Sequence, residues 1–257
     1  MPAIKLATTT SVRDTKLLDS LQTQFASFTN DAHTLDWAGL VVGSGAALNL
    51  ARQGLADVTF THSRLDEFIF WGQRYALDRK HLCWNGFVLV GPKTGGPITG
   101  TTLEDCFGQL LDNDEQPTPS VVFLSRGEVN ASGTWVREQE IWAAIGRDIP
   151  CNIIIETNTS MMDTLERAWK NYNNAYTLTD IGTWYEFLSE NDDGPLDDLE
   201  ALTDPYTDPW APNQYALMPV NPDACFLTPA RSQNPQGAEI FVNWLTSDPS
   251  IINNYLL

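Results

Sequence analysis

Four times along this chain a short apolar run gives way to a small hydroxylated loop and then to residues recurring every three or four positions. The loops are Thr8-Thr9-Thr10-Ser11, Gly43-Ser44-Gly45-Ala46, Ser132-Gly133-Thr134 and Thr157-Asn158-Thr159-Ser160. A strand that feeds a helix, repeated, is the pattern of an α/β fold with a largely parallel sheet. The strand candidates are Ile4–Ala7, Leu40–Val42, Asp57–Thr61, Phe87–Val90, Val121–Leu124, Asn152–Ile155 and Ala216–Val220. Most are uninterrupted apolar runs, as strands covered on both faces are.

The helical periods fall between them. Leu17, Leu18, Leu21, Phe25 and Phe28 form one, with Ser11 and Asp14 predicted as its capping box. Ala46 to Ala51 form a second, which Gly54 should close in a left-handed cap. Trp135 to Ile145 begin at Ser132-Gly133-Thr134 and stop near Gly146; Met162 to Trp169 follow Ser160, with Asp163 as the capping acid. Ile181 to Leu188 follow Thr179, and Ala238 to Leu245 lead into Asp248-Pro249, an N-cap with proline behind it. Glu190 to Asn213, acidic and without period, reads as an irregular surface connection.

Composition narrows the partners. The 257 residues carry 15 Lys and Arg against 33 Asp and Glu, a formal charge of -18, which repels nucleic acid. With 42% hydrophobic residues the chain can bury about 70% of its unfolded surface, so wholesale disorder is excluded. No uncharged apolar run approaches the roughly 18 residues of a membrane span. The opening Met1-Pro2-Ala3-Ile4-Lys5 has no export signal, which leaves two expectations: a periplasmic or extracellular protein whose signal has been trimmed, or a cytoplasmic one. Cys83, Cys106, Cys151 and Cys225 are widely spaced and read as buried small hydrophobes or as one or two disulfides.

No catalytic set can be assembled. His33, His62 and His81 lie in unrelated segments and read as structural or surface residues. Gly91-Pro92-Lys93-Thr94-Gly95-Gly96 lacks the ending of a phosphate loop and reads as a turn-rich crossing. The hydroxylated loops carry the chemistry instead. Singly, each is a helix cap. Together, at the carboxyl ends of strands, their unpaired N–H groups and hydroxyls make a donor-rich pocket for an anion. Arg126, in Phe123-Leu124-Ser125-Arg126-Gly127, lies a few residues before one of these helix starts and can either supply a cation to that pocket or point into solvent.

These residues resemble the tungstate-binding proteins of ABC importers. The matching series is Leu6 to Asp14, Val42-Gly43-Ser44-Gly45-Ala46-Ala47-Leu48, Ala56-Asp57-Val58 with His62, and Asn85 to Pro92. It continues with Ser125-Arg126-Gly127 and Ser132-Gly133-Thr134, Ala175 to Asp180, and Gly237-Ala238-Glu239 with Phe241 and Trp244-Leu245. The resemblance implies a two-lobed type II periplasmic-binding-protein fold with a ligand cleft between the lobes. One lobe would comprise residues 1–87 and 206–257, the other residues 88–205, joined by two hinge crossings.

The ligand so implied is tungstate or molybdate, held by Thr9, Thr10, Ser11, Ser44, Gly45, Arg126, Ser132, Thr134 and Ser160. The resemblance further implies no cofactor, no protein-bound metal cation and no enzymatic activity, with a monomer that hands its anion to an ABC permease. Three departures from the family pattern stand out: the longer Glu128-Val129-Asn130-Ala131 stretch, the glycine-poor Asn158 to Met162, and Ile181 where arginine is common. Phosphate is an alternative ligand, with Glu128 as the acceptor it needs. An enzyme acting on a phosphorylated or sulfated metabolite is another reading. Asn130-Ala131-Ser132 and Asn158-Thr159-Ser160 are also glycosylation sequons, and a glycan on either would contradict the pocket.

Overall fold

The computed structural model describes residues 3–128, 132–224 and 234–252. Val129 to Ala131, with the Asn130 sequon, and Cys225 lie outside them. The chain divides into two compact units, Met1–Trp84 with Gln214–Leu257, and Asn85–Asn213.

The first unit opens with β1 (Ile4–Thr9), α1 (Thr10–Asp14), α2 (Leu17–Phe28), β2 (Leu35–Asp36), β3 (Val41–Val42), α3 (Ser44–Arg52), β4 (Val58–Thr61) and α4 (Arg64–Gly72). Strand β5 (Lys80–Pro92) carries the chain into the second unit. There follow α5 (Leu103–Asp114), β6 (Val122–Ser125), α6 (Gly133–Ile145), β7 (Ile154–Glu156), α7 (Met161–Asn171), β8 (Ala175–Asp180), α8 (Ile181–Glu190) and β9 (Leu199–Ala201). Strand β10 (Pro212–Pro219) returns to the first unit, which α9 (Pro235–Ser247) completes.

In the first unit β1 runs parallel to β2, β3 and β4, and β10 pairs antiparallel with β4, Ala216 opposite Thr61. The core lies where α2 meets α9. Phe25 packs edge-on against Phe241 at 5.1 Å and tilted against Trp244 at 5.1 Å. In the second unit β6 lies parallel to both β7 and β8, while β8 and β9 pair antiparallel with β5. Its core is the aromatic cluster of Phe107, Phe123 and Trp142 under α5 and α6.

The expected α/β alternation is present, with local corrections. Ser11 does not cap the helix at Leu17. Thr9 is the last extended residue of β1, so its hydroxyl accepts the Val12 N–H at 3.4 Å and caps the short α1, inside which Ser11 lies. Lys16, left-handed at φ 60°, then separates α1 from α2. Likewise α8 is capped by Asp180, the last residue of β8, and not by Thr179: its carboxylate accepts the Thr183 N–H at 3.0 Å and hydroxyl at 2.7 Å.

The stretch Glu190 to Asn213 is partly ordered, because the buried Leu199 brings β9 onto β5. Helix α3 ends as expected. Gly54 at φ 71° allows the Leu55 N–H to reach the Leu50 carbonyl at 3.0 Å. Cys83, Cys106 and Cys151 are free thiols; burial pushes those of Cys83 and Cys106 up to about 12.

Candidate functional site

Each unit gathers hydroxyl groups at the carboxyl ends of its parallel strands. In the first, β1 ends at Thr9, whose register partner is Val42, and Gly43 then caps α3 with Ser44 and Gly45 in its first turn. Thr9, Ser11, Ser44 and Gly45 are buried, and Thr10 is partly exposed. The Ser44 hydroxyl accepts the His62 N–H at 3.3 Å, which ties the end of β4 to the same place. His62, read from the sequence as structural or surface, is buried and stacked on Tyr215 with ring centroids 4.8 Å apart.

Beneath this turn sits Glu67, fully buried. Its carboxylate accepts from the Thr61 hydroxyl at 2.8 Å, the Ser63 N–H at 3.1 Å, and Arg79 Nε and Nη2 at 2.9 and 2.7 Å. Burial pushes this carboxyl up to about 7, opposed by the Arg79 charge and the donors around it.

In the second unit Arg126 is only 7% exposed, so the solvent-facing alternative does not hold. Its Nη1 donates to the Ser132 hydroxyl, and its Nε donates to the Thr159 carbonyl at 3.2 Å. The guanidinium therefore bridges the starts of α6 and α7, where Ser132 and Ser160 are the N-caps. Gly127, at φ 82°, makes the turn after Arg126. A Cβ there would stand 2.3 Å from Asn158 Oδ1, so only glycine lets the two loops close up.

The cap bonds fix what these hydroxyls can offer. Ser132 Oγ accepts from Arg126 and from the Trp135 N–H at 3.4 Å. Thr9 accepts from Val12, Ser44 from His62, and Ser160 from the Asp163 N–H at 3.1 Å. A hydroxyl whose lone pairs are engaged by N–H groups keeps its own hydrogen to give, so the caps present themselves as donors. Thr134 goes further: it is 1% exposed and its Oγ1 meets no hydrogen-bond partner. Glu128, the acceptor a phosphate would need, is exposed.

Sequence reasoning passed over Ser125 and Glu138. The Ser125 hydroxyl accepts the Gly127 N–H at 3.1 Å and donates to Glu138 Oε2 at 2.5 Å. Burial pushes the Glu138 carboxyl up to about 8 against the pull of Ser125 and Arg126. The available signal was the i, i+4 spacing of Thr134 and Glu138, which puts both on one face of α6. Among the described residues no cluster of three or more His, Cys, Asp or Glu could hold a metal ion, and no helix is long and apolar enough to cross a membrane.

The PBP superfamily domain matches residues 2–249. The tungstate-binding protein TupA of Peptoclostridium acidaminophilum is 34% identical over 98% of this chain and 81% of its own length. Among solved structures, the tungstate-binding protein TupA from Desulfovibrio alaskensis G20 is 30% identical with a TM-score of 0.74, over 98% of this chain and 92% of that one. The tungstate ABC transporter structure from Geobacter sulfurreducens is 29% identical, also at 0.74, over 98% and 97%. The fold is thus of the type II periplasmic-binding-protein class, as the resemblance implied.

Proposed function

Since the chain belongs to the PBP superfamily, in the family of the tungstate-binding protein TupA, we propose that it binds a tetrahedral oxyanion, tungstate or molybdate, as the substrate-binding component of an ABC importer. The observation that carries the reading is the buried Arg126 guanidinium set among the capping hydroxyls at the starts of α6 and α7. Tungstate and molybdate near neutral pH accept hydrogen bonds and donate none. Thr9, Thr10, Ser11, Ser44, Gly45, Arg126, Ser132, Thr134 and Ser160 are the residues proposed to contact the ion. The Thr134 hydroxyl, buried without a partner, gains one when the ion arrives.

Charge-assisted hydrogen bonds contribute about 1.5–3 kcal/mol each, so five to seven of them support about nanomolar binding after desolvation and ordering losses. Arg126 cancels one ligand charge, and the N-termini of α3, α6 and α7 offset the other. The net charge of -18 opposes approach from a distance, so affinity resides in the contacts and not in steering.

The proposal extends to a binding protein without enzymatic activity, acting as a monomer outside the cytoplasmic membrane and delivering its ion to a permease. Titration calorimetry with tungstate, molybdate, phosphate and sulfate tests the ligand. The metal oxyanions are expected to bind at least about tenfold more tightly than the other two; phosphate binding most tightly overturns the reading.

A further inference from the structure

Helix α6 buries two side-chain oxygens one turn apart on one face, Thr134 Oγ1 and Glu138 Oε1, and neither meets a hydrogen-bond partner; each residue is 1% exposed. Leaving a buried polar group unpaired costs about 1–3 kcal/mol, and more when it is charged. The other oxygen of the carboxyl is engaged. Glu138 Oε2 receives the Ser125 hydroxyl at 2.5 Å, and Ser125 Oγ in turn accepts the Gly127 N–H at 3.1 Å. Between Ser125 and Gly127 stands Arg126.

The two charge states of Glu138 have opposite consequences here. An ionised carboxylate would be a buried charge facing the Ser125 hydroxyl and the Arg126 backbone N–H, and its charge would offset the Arg126 guanidinium. A protonated one is neutral and leaves the guanidinium charge uncancelled.

We propose that Glu138 is a proton-carrying positioning residue of the oxyanion site: as a neutral acid it fixes the Ser125-Arg126-Gly127 turn without cancelling the charge of Arg126. The inference rests on the oxyanion reading above. It also supplies a basis for selectivity, because a neutral acid is a weaker acceptor than a carboxylate for the proton of a hydrogenphosphate. The charged groups acting on Glu138 are Arg126, from the end of β6, which favours ionisation, and Glu156, from β7, which opposes it. Burial outweighs both and pushes the carboxyl up to about 8.

The test has two arms. In the first, no ligand is added: the infrared difference between the wild-type protein and Glu138→Gln at about pH 7 is expected to show the carbonyl band of a buried protonated acid. Absence of that band overturns the proposal. In the second, tungstate affinity is followed by calorimetry from about pH 7 to about pH 9. The wild type is expected to lose about tenfold over that range, while the affinity of Glu138→Gln shows no pH dependence.

Parallel pH profiles in the two proteins overturn the proposal, as does a flat profile in the wild type, which needs no variant to be measured. If tungstate fails to bind the wild type at any pH, the oxyanion reading falls and the linkage falls with it. The infrared arm still shows, separately, whether the carboxyl holds a proton.

Discussion

Arg126 donates through Nη1 to the hydroxyl of Ser132, the same oxygen that caps α6 by accepting the Trp135 N–H. The cation is therefore anchored to a helix start and pulls that hydroxyl into a donating orientation. Replacing Arg126 by alanine removes the charge and loosens the cap. Tungstate affinity is expected to fall at least about tenfold, the equivalent of one charge-assisted hydrogen bond. Lysine is expected to recover only part of it, because an ammonium cannot reproduce the fork that meets both Ser132 and the Thr159 carbonyl. Equal calorimetric affinities for wild type and Arg126→Ala would remove Arg126 from the site.

Thr134→Val separates binding from folding. Valine has the shape of threonine and lacks the hydroxyl, which makes no hydrogen bond in the protein. Stability in urea is expected to stay the same or rise by up to about 1 kcal/mol, since an unpaired buried polar group disappears. Tungstate affinity is expected to drop about tenfold. A clear loss of stability with affinity intact would show that the hydroxyl serves the fold.

Arg79→Met attacks the support of the first unit. It leaves Glu67, fully buried, facing only Thr61 and Ser63. Breaking a buried ion pair from one side costs about 3–5 kcal/mol. Glu67→Gln combined with Arg79→Met is expected to recover part of that loss in denaturant unfolding. Additive losses in the two single variants would mean the ion pair is not the cause.

The two raised carboxyls give stability a sign. Glu67 and Glu138 hold protons more tightly folded than unfolded, with values pushed up to about 7 and about 8 from an ordinary 4.5. The folded state thus binds the extra protons, and stability is greatest below about pH 4.5 for these groups and declines as pH rises through their folded values. Glu138→Gln removes one of them. Its unfolding free energy relative to wild type is expected to climb by up to about 1.4 kcal/mol per pH unit between about pH 5 and about pH 8, then level off. A difference independent of pH would place the Glu138 proton elsewhere.

Much of this was legible in the sequence because capping is local. Ser132 and Ser160 are N-caps as their spacing to α6 and α7 predicts, and Gly146 closes α6 at φ 72°. Ser11 was misread as the cap of α2, because the short α1 intervenes: β1, paired with β3, stays extended as far as Thr9, and Thr9 caps α1. Helix α4 escaped notice because Leu65, Phe68, Ile69 and Trp71 are exposed and blur its period. Helix α5 was a plain omission: Leu103, Cys106, Phe107, Leu110 and Leu111 recur at helical spacing behind Thr102. Glu138 was invisible for a different reason. A glutamate in a helix reads as a solvated residue, and only the packing of β6 against α6 reveals that it is enclosed.

The route of the chain through β5 and β10 also orders events during synthesis. Asn85–Asn213 is one uninterrupted stretch and can finish its own core while the ribosome is still adding Gln214–Leu257. The other unit cannot, because Phe60 and Phe25 wait for Tyr215, Phe241 and Trp244. Nascent protein released early would therefore carry a completed middle and an open, apolar beginning, which makes the first 84 residues the part most in need of a chaperone.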